Sequence, residues 1–265
     1  MNTRDLSQKD LDLSVWRYMP FSKFISLLTY GALWFPKLNI LQDQYEGTMP
    51  HLVKEMMDQK HDSMKKGFHP SLHSQFDNMA ARNVEDSREL IVANSWFLNE
   101  SESKTMWTDY GEGNDSVAIK STVGRLTANI AVPNDTHVTH IGRVKYVDFN
   151  NHSMSDYEAN QGIERAFLKD KGFQHEEELR IATMSFKTVN CIRPDGERYT
   201  AQEVKGKNMN NFDFPGLYIM INFPELVSSI VIHPESESWL LPTIKRVMKL
   251  SNLNVPVALS ELTSA

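Results

Sequence analysis

Proline and glycine punctuate the start of this chain so closely that only short elements fit between them. Val15-Trp16-Arg17-Tyr18-Met19 is a strand-like run closed by Pro20, which has no amide to offer a sheet ladder. Phe24, Leu27 and Leu28 then share one face of a helix over Lys23–Tyr30, with Ser22 as its candidate cap. Gly31 suits the helix exit, and Ala32-Leu33-Trp34-Phe35 reads as a second strand stopped by Pro36. Strand, helix and strand are complete between Val15 and Phe35, which implies a compact local unit.

The same reading continues along the chain. Residues 49–89 turn polar and helical, with Met56, Met57, Met64 and Met79 as packing candidates and Gly67–Pro70 separating two helices. Leu90–Phe97, Ser116–Lys120, Val138–Phe149, Glu177–Phe186, Leu217–Phe223, Ile230–Ile232 and Val255–Leu259 read as strands. Helices are expected over Glu102–Tyr110, from a Ser121 or Thr122 cap to Asn129, over Asp156–Leu168 and over Thr243–Leu250. A hairpin is expected to lead from the 177–186 strand to Cys191, and Pro194-Asp195-Gly196 is a turn signal. Strands and helices mix without strict alternation, which favours α+β over a doubly wound sheet. The expected architecture is one domain over residues 1–265: a central, mostly antiparallel sheet with a helical insertion at about 49–89.

Composition narrows the function classes. A net charge of −6 over 265 residues gives no indication of nucleic acid as a partner. The single cysteine, Cys191, excludes an intramolecular disulfide and a cysteine-rich zinc site. No apolar stretch approaches the ~20 residues of a membrane-spanning helix, so no membrane partner and a cytoplasmic location are expected. Glycine-rich phosphate loops, the dinucleotide fingerprint and the Gly-x-Ser-x-Gly elbow are absent. His69 and His73 stand four apart, but Pro70 lies between them, and the nine histidines are read as structural or surface residues with no metal site.

Two segments carry chemistry. In Phe173-Gln174-His175-Glu176-Glu177-Glu178-Leu179-Arg180-Ile181, strand alternation puts Glu176, Glu178 and Arg180 on one face. Two carboxylates beside an arginine form either a charged site or a solvated edge. On a helix over Glu102–Tyr110, Ser103, Met106, Trp107 and Tyr110 share a stripe that is either core or a platform for a flat ring. Arg17 and Tyr18, on the first of the strands above, are placed to reach a pocket.

In order along the chain, Trp16-Arg17-Tyr18, Ala32-Leu33-Trp34-Phe35, Asp43-Gln44-Tyr45-Glu46-Gly47, the Glu102–Tyr110 segment, Val117–Lys120, Val144–Asp148, Phe173–Arg180 and Ile230–Pro234 together resemble the bacterial domain of unknown function 2971 family. The acidic turn departs from that family's Asn-Asp-Pro, reading Gln42-Asp43-Gln44. A looser similarity is to the ADP-ribosyltransferase plan: a first-strand basic residue, a short helix, a small-Leu-Trp-Phe strand and a late strand bearing Glu. That resemblance implies NAD as substrate. Arg17 and Tyr18 would hold it, Ser103 or Trp107 would take the middle position, and Glu178, with Glu176 as second candidate, would assist ribosyl transfer to an unknown acceptor.

The first functional expectation is thus a NAD-consuming ADP-ribosyltransferase or glycohydrolase, of the anti-phage or toxin effector kind. The second is a non-catalytic module that binds a nucleotide-like small molecule or a partner in the same pocket, lined by Arg17, Trp107, Tyr110, Glu178 and Arg180. The third is a metal-dependent hydrolase of nucleotides or nucleic acid, with Asp43, Glu46, Glu176 and Glu178 as oxygen ligands.

Overall fold

The computed structural model describes residues 1–75, 77–78, 88–131, 137–185, 191–192, 197 and 215–262. The chain opens with β1 (Asn2–Arg4), β2 (Ser14–Pro20), α1 (Phe21–Tyr30) and β3 (Ala32–Pro36). It continues through α2 (His51–Lys65), β4 (Ile91–Leu98), α3 (Lys104–Gly111), β5 (Ser116–Thr122), α4 (Val123–Asn129), β6 (His137–Arg143) and β7 (Lys145–Val147). Two short helices, α5 (Asp156–Asn160) and α6 (Gly162–Arg165), precede β8 (Leu168–Asp170), β9 (Glu178–Ser185) and β10 (Cys191–Ile192). Then come β11 (Gly216–Met220), α7 (Phe223–Leu226), β12 (Ser229–Ile232), α8 (Leu240–Leu250) and β13 (Val257–Leu259).

The fold is α+β. Eight strands form one sheet in the order β1-β6-β9-β4-β2-β5-β12-β13. Its pairings are antiparallel except at the two edges, where β1 joins β6 and β13 joins β12 in parallel. A smaller antiparallel sheet runs β10-β11-β3, and β7 pairs with β8.

Alternation along the strands sends apolar side chains to both faces of the sheet. Val15 and Met19 of β2, Val92 and Trp96 of β4, and Leu179 and Ile181 of β9 enter the main core under α1, where Phe24 and Leu27 are buried. On the other face, Trp16, Tyr18 and Phe97 pack against Met106 and Trp107 of α3. Pro20 directly precedes α1, and Gly31 leaves it at φ 57°, a left-handed exit that costs glycine little.

Several elements differ from the sequence expectation. The helix expected over Asp156–Leu168 breaks at Gln161, whose extended φ of −94° and ψ of 101° split it into α5 and α6, and Leu168 starts a strand. The run Val138–Phe149 is two strands, because the Glu178 amide leaves the ladder for the Tyr146 hydroxyl at 2.8 Å and the Lys145 amide turns to the Phe167 carbonyl at 2.8 Å. Cys191–Ile192 pairs with β11 instead of folding back on β9. Phe223 begins a helical turn, and Met64 on α2 is 52% exposed. Met79, Phe186 and the Pro194-Asp195-Gly196 turn lie outside the described residues. Among the described residues, no helix is long and apolar enough to cross a membrane.

Candidate functional site

The site begins where the sheet opens. β2 follows β5 from Ser14 to Pro20, yet it pairs with β4 only at Val15–Leu98 and Trp16–Phe97. Beyond that point the two strands part, and the Ser95 carbonyl accepts a hydrogen bond from Arg17 Nη1. The guanidinium thus takes a carbonyl that a continued ladder would use. Arg17 is half-buried and forms no ion pair among the described residues, and its remaining N–H groups have no partner there. Burial pushes its pKa down to about 10, against the opposing charges of Glu178 and Tyr110.

Beneath the opening lies a buried ionic cluster. Arg180 Nε and Nη2 grip Glu178 at 2.5 and 2.9 Å, while Nη1 and Nη2 grip Glu46 at 2.6 and 2.9 Å. Nη1 also donates to the Ala166 carbonyl at 2.7 Å. Every N–H of this guanidinium is therefore used. Arg180 lines the cleft, positions Glu46 and Glu178, and spends all its N–H groups within the protein. Lys169 Nζ donates to Glu176 at 2.5 Å and lies 3.4 Å from Glu178 and 3.7 Å from Glu46.

Glu176 reaches the cluster by an unexpected route. It ends a 3-10 turn, Lys171–Glu176, instead of standing on the strand. Glu177 follows at φ 38°, and this left-handed residue reverses the chain so that Glu176 and Glu178 both meet Lys169. Tyr110 stands beside Glu176; burial first, then the charge of Glu176, raises its pKa far above the ordinary tyrosine range.

Burial alone would raise the Glu178 pKa, but Arg180 and Lys169 overcome it and hold the carboxyl at about 2, below its ordinary 4.5. A depressed carboxyl contributes stability that is complete above pH 4.5 and lost as the pH falls through about 2. Urea denaturation across this window is expected to show a steeper loss of stability for the wild type than for Glu178→Gln. Parallel pH profiles would show that the Glu178 charge is not held by the cluster.

The cleft above these groups encloses about 580 Å³, within the range of small-molecule sites. Arg17, Tyr18, Tyr110, Glu176, Glu178 and Arg180 line it. Trp34, Phe173 and Tyr218 add aromatic wall, with Trp34 and Tyr218 rings 4.8 Å apart. Ser103 and Trp107 do not line it. The Ser103 hydroxyl caps α3 by accepting the Met106 amide, and its own amide donates to the Tyr18 hydroxyl at 2.9 Å. Trp107 is buried behind Tyr18, its ring edge-on at 4.8 Å and its Nε1 donating to Glu102 at 3.1 Å. On a helix, the stripe shared by Trp107 and Tyr110 is wide enough for one residue to enter the core and the other the cleft.

Lys169 is the participant that sequence reasoning missed, because it lies just beyond the helix expected over Asp156–Leu168; its signal is a lysine closing the apolar run Ala166-Phe167-Leu168. Among the described residues, no group of three or more His, Cys, Asp or Glu side chains is placed to hold a metal ion. Glu46 and Glu178 are turned toward Arg180. No family model, curated protein or solved structure matches this chain.

Proposed function

We propose that the cleft binds a nucleotide-like small molecule, with Arg17 holding its anionic group and the Trp34 and Tyr110 side of the wall receiving its planar ring. The observation that carries this reading is the half-buried Arg17, whose one hydrogen bond among the described residues goes to a backbone carbonyl. An arginine with donors left over in a partly desolvated cleft suits a phosphate or carboxylate, which it can grip in a bidentate fashion. The test is calorimetric titration with NAD, ADP-ribose and AMP. Arg17→Ala is expected to weaken the binding by about 10–100-fold, as for the loss of a charged hydrogen bond. No binding of any of the three by the wild type at millimolar concentration, or equal affinity in the variant, would overturn the reading.

A second reading, NAD consumption on an ADP-ribosyltransferase-like plan, is favoured by one further observation. The ionised Glu178 shares the cleft with Arg17 and an aromatic wall. In that chemistry the bond from ribose C1′ to nicotinamide breaks with its electron pair leaving on the nicotinamide nitrogen. Water or an acceptor hydroxyl then bonds to C1′ and releases its proton. The ribosyl group carries positive charge in between, which a nearby carboxylate stabilises. Of the buried groups, Glu46, Glu176 and Glu178 outnumber Lys169 and Arg180 by one negative charge, so the cluster is not neutralised from within. Glu178 is the carboxylate assigned to this role, and Glu176 is the alternative.

A further inference from the structure

The turn carrying Asp43 is held on both sides. Its Tyr45 ring stacks on Phe149 at 4.9 Å, and its Glu46 carboxylate is gripped by Arg180. Gly47 takes φ 72°, and a Cβ there would come within 2.9 Å of Leu38, so a side chain at this position is not accommodated. Within it, Asp43 Oδ1 accepts the Tyr45 amide at 2.9 Å and the Asp43 carbonyl accepts the Glu46 amide at 3.1 Å.

Asp43 Oδ2 is left over. The residue is 7% exposed, this oxygen is buried, and it has no hydrogen-bond partner. Asp43 nevertheless lines the same cleft as Arg17. A buried carboxylate oxygen without a partner is costly. The cations of the buried cluster are already occupied: Arg180 is saturated by Glu46, Glu178 and Ala166, and Lys169 faces Glu46, Glu176 and Glu178. Arg17 therefore keeps unused donors and Asp43 an unused acceptor, and both residues line the cleft.

We propose that Asp43 is a specificity residue that accepts an O–H or N–H donor from the ligand whose anionic group Arg17 holds. The proposal rests on the binding reading above and adds that the ligand is two-ended, carrying a donor as well as an anion. A sugar hydroxyl and an exocyclic base amine are both such donors.

The test is calorimetric titration of the full chain with NAD, comparing the wild type with Asp43→Asn. Asparagine keeps an oxygen for the Tyr45 amide and removes the charged acceptor. NAD affinity is expected to fall about 10–100-fold, the scale of one hydrogen bond to a charged group. Asp43→Ser, which still offers an oxygen to the turn, is the second variant and is expected to lose a similar factor if Asp43→Asn does not fold. Deamino-NAD, in which the adenine amine is replaced by a carbonyl, separates the donors. If the donor is the base amine, the wild type binds deamino-NAD about as weakly as Asp43→Asn binds NAD. If it is a ribose hydroxyl, deamino-NAD binds the wild type like NAD and remains sensitive to the substitution. Folded Asp43 variants that bind NAD like the wild type, while Arg17→Ala does not, would overturn this proposal and leave the cleft reading standing. A wild type that binds none of NAD, ADP-ribose and AMP would overturn both.

Discussion

Arg180→Ala is expected to destabilise the protein by about 3–5 kcal/mol, the cost of leaving buried charges without their partner. Glu46 and Glu178 would each lose a two-point grip, and the Ala166 carbonyl would lose its donor. All of these side chains are 4% exposed or less, so water cannot replace the guanidinium without opening the cleft floor. Arg180→Lys is expected to recover only a minor part, because an ammonium's three donors cannot replace the five N–H groups that grip both carboxylates and the Ala166 carbonyl. Removing Glu46 and Arg180 together is expected to cost less than the sum of the single changes, since the double variant leaves fewer unpaired charges. Urea denaturation of the wild type and these four variants, the Glu46 single change included, measures this. A loss below about 1 kcal/mol for Arg180→Ala would show that the cluster is as well screened as an exposed ion pair.

That cluster also marks the boundary of what the sequence discloses. The central strands were legible because their signal is local: Val15–Met19, Leu90–Phe97 and the Glu178–Ser185 part of the third run carry apolar-rich stretches where β2, β4 and β9 of the large sheet form. β1 has no such signal. Asn2-Thr3-Arg4 is polar, and what helps hold it is Arg4 paired with Glu164, far along the chain. The opening between β2 and β4 was equally hidden, because pairing that stops after Trp16 leaves no mark in composition. Alternation put Glu178 and Arg180 on one face correctly. It failed for Glu176, since a non-glycine residue with positive φ, Glu177, is rare enough that no pattern rule anticipates it. Asp43 and Glu46 stood out in the sequence as an acidic pair. Their division of labour, Glu46 anchoring the turn and Asp43 facing the cleft, depends on Arg180 arriving from β9.

For NAD consumption, Glu178→Gln is expected to lose about 10²–10³-fold in turnover, the usual scale for removing one preorganised electrostatic group. Glutamine occupies nearly the same volume and can still accept one hydrogen bond from Arg180, so the fold is expected to survive with reduced stability. What it lacks is the negative charge that Arg180 and Lys169 keep ionised and that an emerging ribosyl cation requires. Arg17→Ala is expected to act differently, raising KM more than it lowers kcat, because an anion anchor on unreacting phosphate serves ground and transition states alike. The measurement is nicotinamide release from NAD, with and without protein acceptors, at a temperature well below the melting point of every variant. Equal turnover in wild type and Glu178→Gln would remove Glu178 from the chemistry and shift the role to Glu176, where Glu176→Gln is the matching substitution. A wild type that binds NAD without releasing nicotinamide under any of these conditions would reject the catalytic reading, because binding at Arg17 and turnover at Glu178 are separable properties of one cleft.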